Sequence, residues 1–122
     1  MTEEDMLALM KKFRVAYTKG DRDGLLAATT DDFEWHQHSA RDSADLPYGR
    51  VLVGVDALVE EIQWRRENWT EVEYVGLEER SAGDVLVQTF TIRGKSEGRP
   101  FHAKAVDLYP VREGRITRKD TY

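Results

Sequence analysis

The sequence predicts a single α+β domain over residues 1–122, with three helices and one short strand ahead of four longer strands. Two observations support this prediction. Apolar residues recur at helical spacing in the first half of the chain, and in the second half the spacing changes to the two-residue period of strands. The four later strands follow one another through short turns, which favours an α+β fold over repeated βαβ units.

The first two helices have clear start signals. Thr2 can cap a helix over residues 2–19, with Asp5 three residues later completing a capping box. Asp21 is a suitable N-cap for a short second helix that ends between residues 29 and 32. The apolar stripe of the first helix consists of Met6, Met10, Phe13 and Tyr17.

A strand, a loop and a third helix follow. Residues 33–38 alternate in character and predict a short strand. Residues 39–50 are polar and aperiodic, which is typical of a loop at the rim of a functional site. Residues 55–69 predict a helix with Leu58, Ile62, Arg65 and Trp69 along one side. The strand places Phe33, Trp35 and Gln37 on one face and Glu34, His36 and His38 on the other.

The second half predicts four strands joined by glycine-containing hairpin turns. These strands cover residues 71–80, 84–94, 101–112 and 115–122. Asp107 interrupts the otherwise apolar run AVDLY in the third of them. A carboxylate in such a strand is costly to bury unless it is paired or protonated. It could serve as an acid or base towards a ligand, or it could be a structural carboxylate bound to Arg, Lys or Trp.

The charge and the residue types exclude several classes of function. The formal net charge is −5 and the basic residues are scattered, so we expect neither nucleic acid nor an anionic membrane as a partner. The chain has no cysteine, which rules out disulfides, thiolate zinc sites and cysteine nucleophiles. The acidic start of the chain does not resemble a secretory signal, and we expect a cytoplasmic location.

Four motifs together resemble the nuclear transport factor two-like superfamily, which includes SnoaL-like and ketosteroid-isomerase-like domains. They are residues 19–26 (KGDRDGLL), 31–35 (DDFEW), 54–58 (GVDAL) and 112–116 (REGRI), and the resemblance covers the whole chain. It implies a cystatin-like cone, with three N-terminal helices packed on the concave face of a curved, mixed, mostly antiparallel sheet. It also implies an apolar cavity at the open end of the cone and a homodimer through the convex face.

The resemblance also suggests site residues, with departures from each characterised pattern. Asp107 falls where ketosteroid isomerase has the aspartic acid of its oxyanion hole. Phe13 stands in place of the tyrosine that shares that hole, with Tyr17 one turn later. Gln37 stands in place of the proton-abstracting aspartate, and this argues against steroid isomerase activity because an amide cannot serve as a base.

Epoxide hydrolases of this fold have Tyr and Asn where this chain has Trp35 and Gln37. Their Arg and acid positions hold Thr89 and Thr91 here, so most of that site is missing. In scytalone-dehydratase-like enzymes a histidine lies near the position of His102, but its partner position also holds Thr89.

The sequence leaves the roles of Asp120 and of the two histidines of the first strand open. Asp120 falls one residue before the acid of SnoaL-like cyclases, and such a shift moves a side chain to the other face of a strand. It could be a solvated charge or the pocket acid in place of Asp107. His36 and His38 share a strand face with Glu34, but no third histidine is nearby, so we predict no metal site.

We therefore predict a cofactor-independent acid/base enzyme that isomerises, dehydrates or cyclises a small apolar carbonyl or hydroxyl compound. A non-catalytic small-ligand-binding or dimerisation module is the alternative. The predicted catalytic residues are Asp107, Gln37 and Tyr17. The predicted substrate-binding residues are Phe13, Trp35, Arg65, Trp69, Thr89 and Tyr109.

Overall fold

The computed structural model describes residues 1–38 and 49–122. Most of the loop that the sequence predicts over residues 39–50 lies outside the described residues. In the described part of the chain, no helix is long and apolar enough to cross a membrane.

Three helices form close to their predicted positions, but the second ends before residues 29–32, where its end was predicted, because those residues already belong to a strand. Helix α1 spans Glu3–Lys19, α2 spans Arg22–Ala28 and α3 spans Gly54–Asn68. The predicted capping box of α1 is confirmed, because the Asp5 amide donates to the Thr2 hydroxyl at 3.0 Å and the Thr2 amide donates to Asp5 at 3.1 Å. The helix ends at Gly20, which adopts the left-handed conformation that glycine tolerates best.

Asp21 caps α2 as predicted, accepting a hydrogen bond from the Gly24 amide at 3.2 Å. The prediction for α3 was wrong at its end. Trp69 is extended, with φ −103° and ψ 139°, and it begins a strand by pairing with Ser96. The helical spacing of Trp69 was therefore coincidental, since its backbone pairs with a neighbouring strand. The other tryptophan of this region, Trp64 of α3, is 43% exposed.

Six strands form one sheet. They are β1 (Thr29–Gln37), β2 (Arg50–Val53), β3 (Trp69–Ala82), β4 (Val85–Ser96), β5 (Arg99–Arg112) and β6 (Arg115–Thr121). The strand β2 was not predicted. It has four residues at the edge of the sheet and forms by pairing antiparallel to β1. Four residues are too few for a local sequence pattern to predict a strand.

The strand order is β2-β1-β6-β5-β4-β3. Only the β1–β6 pair is parallel among the described strands, so the sheet is mixed and mostly antiparallel, as predicted. The core contains Met10, Phe13, Leu25, Phe33, Trp35, Leu58, Leu86, Tyr109 and Ile116. The helices pack against only part of the sheet, and residues 70–78 of β3 are exposed. This incomplete cover leaves a space between the helices and the far strands.

The register of the sheet decides which side chains face that space. Asp107 pairs with Gln88 of β4 and with Thr121 of β6, so these three residues share one face. The neighbouring pair of Thr89 and Val106 faces the opposite way.

Candidate functional site

A cavity of about 910 Å³ lies between α1, α3 and the inner face of the sheet. Its wall is mainly apolar and aromatic, which is typical of small-molecule sites. The members of the wall that the sequence predicts as site residues are Phe13, Tyr17, Trp35, Arg65, Trp69, Asp107 and Tyr109. A cavity of this size accommodates a small organic molecule.

Two predicted site residues do not line the cavity. Thr89 lies on the outer face with Val106, and the cavity position on that strand belongs to Gln88. The prediction for Thr89 was therefore displaced by one residue, which is enough to reverse the face of a strand. Gln37 is buried on the same face as Trp35, but it lies beyond the cavity wall. Alternation predicted its face correctly and could not predict its distance from the cavity.

Asp107 lies on the inner face of β5 and is 2% exposed. Its Oδ2 atom is 3.4 Å from the Tyr109 hydroxyl and 3.9 Å from the Lys119 ammonium nitrogen. Its Oδ1 atom has no hydrogen-bond partner among the described residues. Because a buried carboxylate oxygen is costly to leave unpaired, this atom is the site's least satisfied polar group.

Tyr109 connects Asp107 to a chain of polar groups. Its hydroxyl donates to the Gln88 Oε1 atom at 3.0 Å, a shorter contact than the one to Asp107. Burial raises the pKa of Tyr109 well above its ordinary value, and the charge of Asp107 adds to this effect. Tyr109 is therefore a neutral donor at physiological pH.

The polar chain continues from Gln88 to the edge of the cavity. The Gln88 amide donates to the Glu79 carboxylate at 2.8 Å. Glu79 also accepts a hydrogen bond from Arg14 at 3.0 Å. Both oxygen and nitrogen of the Gln88 amide are thus engaged, which fixes the amide orientation beside Tyr109.

Lys119 lines the site although no pattern in the sequence predicts it. It is 5% exposed, and its ammonium nitrogen lies 3.9 Å from the ring centre of Tyr17 and 4.3 Å from that of Trp35. An ammonium held against aromatic faces in this way is stabilised by cation–π attraction. In the sequence Lys119 stands between Arg118 and Asp120, a run that resembles a solvated charge cluster. Thr121, on the same face of β6 two residues later, also lines the cavity, but no local pattern in the sequence marks either residue as part of the wall.

Arg65 closes another part of the wall. Its guanidinium lies 4.7 Å from the ring centre of Trp35 and 4.4 Å from that of Trp69. It donates to Glu61 at 3.1 Å and to the Tyr17 hydroxyl at 3.3 Å. Burial opposes its charge, but Tyr17 and Glu61 outweigh burial and the pKa of Arg65 is raised. Its ion-pair partner is thus Glu61 rather than Asp107.

The remaining candidates lie outside the cavity. Asp120 pairs with Leu108 and faces away from Lys119, so it does not line the cavity, whereas Asp107 does. His36 and His38 also face away from the cavity, as their alternation predicts. His102 is exposed on β5, opposite Arg93.

Comparisons with known proteins agree with this architecture. The profile of the SnoaL-like domain matches residues 10–119. A comparison with curated protein sequences gives no significant match.

Three solved structures illustrate the structural similarity. A nuclear transport factor two-like protein from Burkholderia xenovorans LB400 is 24% identical, with a TM-score of 0.83 over 100% of this chain and 91% of that chain. A Catenulispora acidiphila protein with a ketosteroid isomerase-like fold, solved with trimethylamine, is 17% identical, with a TM-score of 0.70 over 93% and 83%. An epoxide hydrolase of the LEH-like type from M. tuberculosis is 16% identical, with a TM-score of 0.68 over 98% and 83%. At these identities the likeness establishes the fold.

Proposed function

Since this chain belongs to the SnoaL-like domain family, we propose that it is a cofactor-independent acid/base enzyme for a small, largely apolar carbonyl or hydroxyl compound. The observation that carries the proposal is the buried Asp107 carboxylate at the wall of an aromatic cavity, with Lys119 beside it. Family membership alone does not decide the reaction, because one fold supports many chemistries.

The chemistry that suits this pair is removal of a proton from a carbon next to a carbonyl group. The unpaired Oδ1 of Asp107 accepts the proton, and the electron pair of the broken C–H bond moves to the carbonyl oxygen. The Lys119 ammonium lies close enough to the carboxylate to stabilise that developing negative charge. Return of the proton to another carbon gives isomerisation. If a neighbouring hydroxyl group instead takes the proton from the Asp107 acid and leaves as water, the result is dehydration.

The surrounding side chains suit a substrate that is apolar with one polar group. Phe13, Trp35 and Trp69 present aromatic surface to the cavity. Tyr17 lies between Lys119 and Arg65, two of the cations that line the cavity, with its ring under the Lys119 ammonium and its hydroxyl accepting from Arg65. We assign Tyr17 a positioning role, because it contacts the Lys119 ammonium and the Arg65 guanidinium. Gln37 has no part in this mechanism, since it lies beyond the wall.

Proton exchange with solvent is the direct test, because it requires no knowledge of the complete reaction. A panel of small cyclic ketones and enones is incubated with the protein in D2O, and proton NMR follows loss of the signal next to the carbonyl group. We expect catalysed exchange for at least one compound. Ala103 lines the cavity, so Ala103→Trp places a large side chain in it and should slow that exchange. Absence of catalysed exchange across the panel would count against the proposal.

A non-catalytic ligand-binding module is the second candidate. The contact between Asp107 and Lys119 favours it, because a pair of buried opposite charges can be purely structural. This candidate predicts that a compound binds in the cavity, measured by a change in tryptophan fluorescence, without any proton exchange. The two outcomes are distinguishable in the same samples.

We also propose a homodimer through the outer face of the sheet. Val106 is 38% exposed there, and the neighbouring Leu108 is only partly buried. Apolar side chains on an outer sheet face are stabilised when a second surface covers them. Light scattering during gel filtration should give the mass of two chains, and Val106→Glu should give the mass of one. A single-chain mass for the wild-type protein would contradict the dimer.

A further inference from the structure

The outer face of the sheet carries a second cluster of chemically active groups. His36 and His38 lie on β1, and Asp120 lies on the adjacent, parallel β6. One potential ligand atom from each residue lies within 4.8 Å of the other two. This cluster faces away from the cavity and takes no part in the acid/base chemistry proposed above.

The sheet itself brings these three side chains together. Residues two apart on a strand are separated by roughly 6.6 Å and point to the same face, and the neighbouring strand is about 4.8 Å away. Asp120 is the direct register partner of His36, so its carboxylate lies beside the histidine pair. The sequence shows the two histidines but not this third group, which lies more than eighty residues away along the chain.

One member of the cluster is already held in position. Asp120 is 4% exposed, and Arg118 donates to its Oδ2 atom at 2.7 Å. Its Oδ1 atom contacts the His38 Nε2 atom at 2.8 Å. The His38 ring stacks on Tyr122 with a centre separation of 4.4 Å and an interplanar angle of 6°. A rigid carboxylate and a rigid imidazole reduce the entropy lost when a ligand binds between them.

The other histidine is held in a similar way and remains reachable. The His36 Nε2 atom contacts the Glu34 carboxylate at 3.0 Å. In the single chain the His36 and His38 side chains are 26% and 33% exposed, so an ion from solvent can reach both. With neutral imidazoles, Asp120 and Glu34 contribute two negative charges against the single positive charge of Arg118. The local charge therefore favours a cation.

We propose that His36, His38 and Asp120 form a binding site for a first-row divalent transition-metal ion, with Zn²⁺ as the representative ion. Two imidazole nitrogens and one carboxylate oxygen are ligands that Zn²⁺ accepts, whereas Mg²⁺ and Ca²⁺ prefer sites built from oxygen. Glu34 would hold His36 in position or provide the fourth ligand. Arg118 would keep its hydrogen bond to the Asp120 oxygen that does not bind the ion.

Metal titration of tag-free protein, first treated with a chelator and dialysed, tests this site. Calorimetry with ZnCl2 should show roughly one ion per chain, whether the protein is a monomer or a dimer, while MgCl2 should give no comparable binding. With CoCl2 in place of ZnCl2, a visible absorption band should report a low-symmetry site containing nitrogen ligands.

Three histidine variants provide the matched comparison. His36→Gln and His38→Gln should each weaken Zn²⁺ binding by at least about tenfold. His102→Gln removes an exposed histidine from another strand and should leave the affinity unchanged. Thermal unfolding without metal establishes that each variant is folded. The site is excluded if the wild-type chain binds no Zn²⁺, or if His36→Gln and His38→Gln bind it as tightly as His102→Gln does.

Discussion

The Lys119 ammonium nitrogen lies 3.9 Å from the Asp107 Oδ2 atom, and both side chains are almost completely buried. The ammonium also faces the rings of Tyr17 and Trp35, so aromatic surface and one carboxylate provide its surroundings. Two opposite charges at this depth stabilise each other against the cost of leaving water. The pair therefore connects the stability of the domain to the chemistry of its cavity.

Replacing Lys119 by Met should destabilise the protein, because Asp107 then keeps a buried charge without its counter-ion. We expect a loss of about 3 kcal/mol in the free energy of unfolding, measured by urea denaturation. Lys95→Met is the control, since Lys95 pairs with Glu71 on the exposed surface and should cost less than about 1 kcal/mol. Equal losses in the two variants would show that the buried contact contributes nothing.

Gln88 and Thr89 are neighbours on β4 with opposite orientations. Gln88→Leu removes the acceptor of the Tyr109 hydroxyl and the donor to Glu79, so we expect a loss of about 1–3 kcal/mol. Thr89→Val changes the outer face and should alter stability by less than about 0.5 kcal/mol. Denaturant unfolding of the two variants compares them directly. The reverse order of the two losses would overturn the assignment of faces.

Tyr109 should make stability fall at high pH. Burial and Asp107 raise the pKa of Tyr109 well above 10.0 in the folded chain, whereas the unfolded chain loses this proton near pH 10. The contribution of Tyr109 to the free energy of unfolding is therefore fully present below about pH 10. It is lost as the pH rises above that value, because only the unfolded state releases the tyrosine proton there.

Tyr109→Phe removes this titration, so the free energy of unfolding should fall less steeply between about pH 9.5 and 11 than it does for the wild-type chain. Urea unfolding at several pH values measures both slopes. Parallel slopes would show that Tyr109 titrates normally in the folded chain.

The guanidinium of Arg65 between Trp35 and Trp69 should not be replaceable by an ammonium group. Arg65→Lys loses planar stacking on both rings and the contact with the Tyr17 hydroxyl, and we expect a loss of about 1–2 kcal/mol. Arg99→Lys, at an exposed position of β5, should be nearly neutral. Thermal unfolding of both variants decides whether the stacking contributes.

The sequence predicted those features of the fold that depend on local pattern. The capping box of Thr2 and Asp5, the cap at Asp21 and the four long strands all have short-range signals. The edge strand β2 does not, because four residues carry too little pattern to define a strand without their partner β1. Trp69 matched the spacing of the third helix, and only its pairing with Ser96 places it in a strand.

The candidate site was also predictable only where its residues have a local sequence signal. Asp107 stood out because it interrupts an apolar run, which is a local signal. Lys119 did not, since its burial depends on β1 placing Trp35 directly beside it in a parallel pair. The same pairing brings Asp120 to His36, so the missed parts of both sites arise from one long-range contact between strands. Local periodicity carries no information on such a contact.

Acid/base catalysis by Asp107 is tested most directly by the rate at which a substrate proton exchanges with D2O, compared between the wild-type chain and Asp107→Asn. We predict that Asp107→Asn slows exchange by at least about 100-fold while the cavity still binds the compound. Asp84→Asn, in an exposed turn, should exchange at the wild-type rate. An Asp107→Asn variant that exchanges as fast as Asp84→Asn would remove Asp107 from the chemistry.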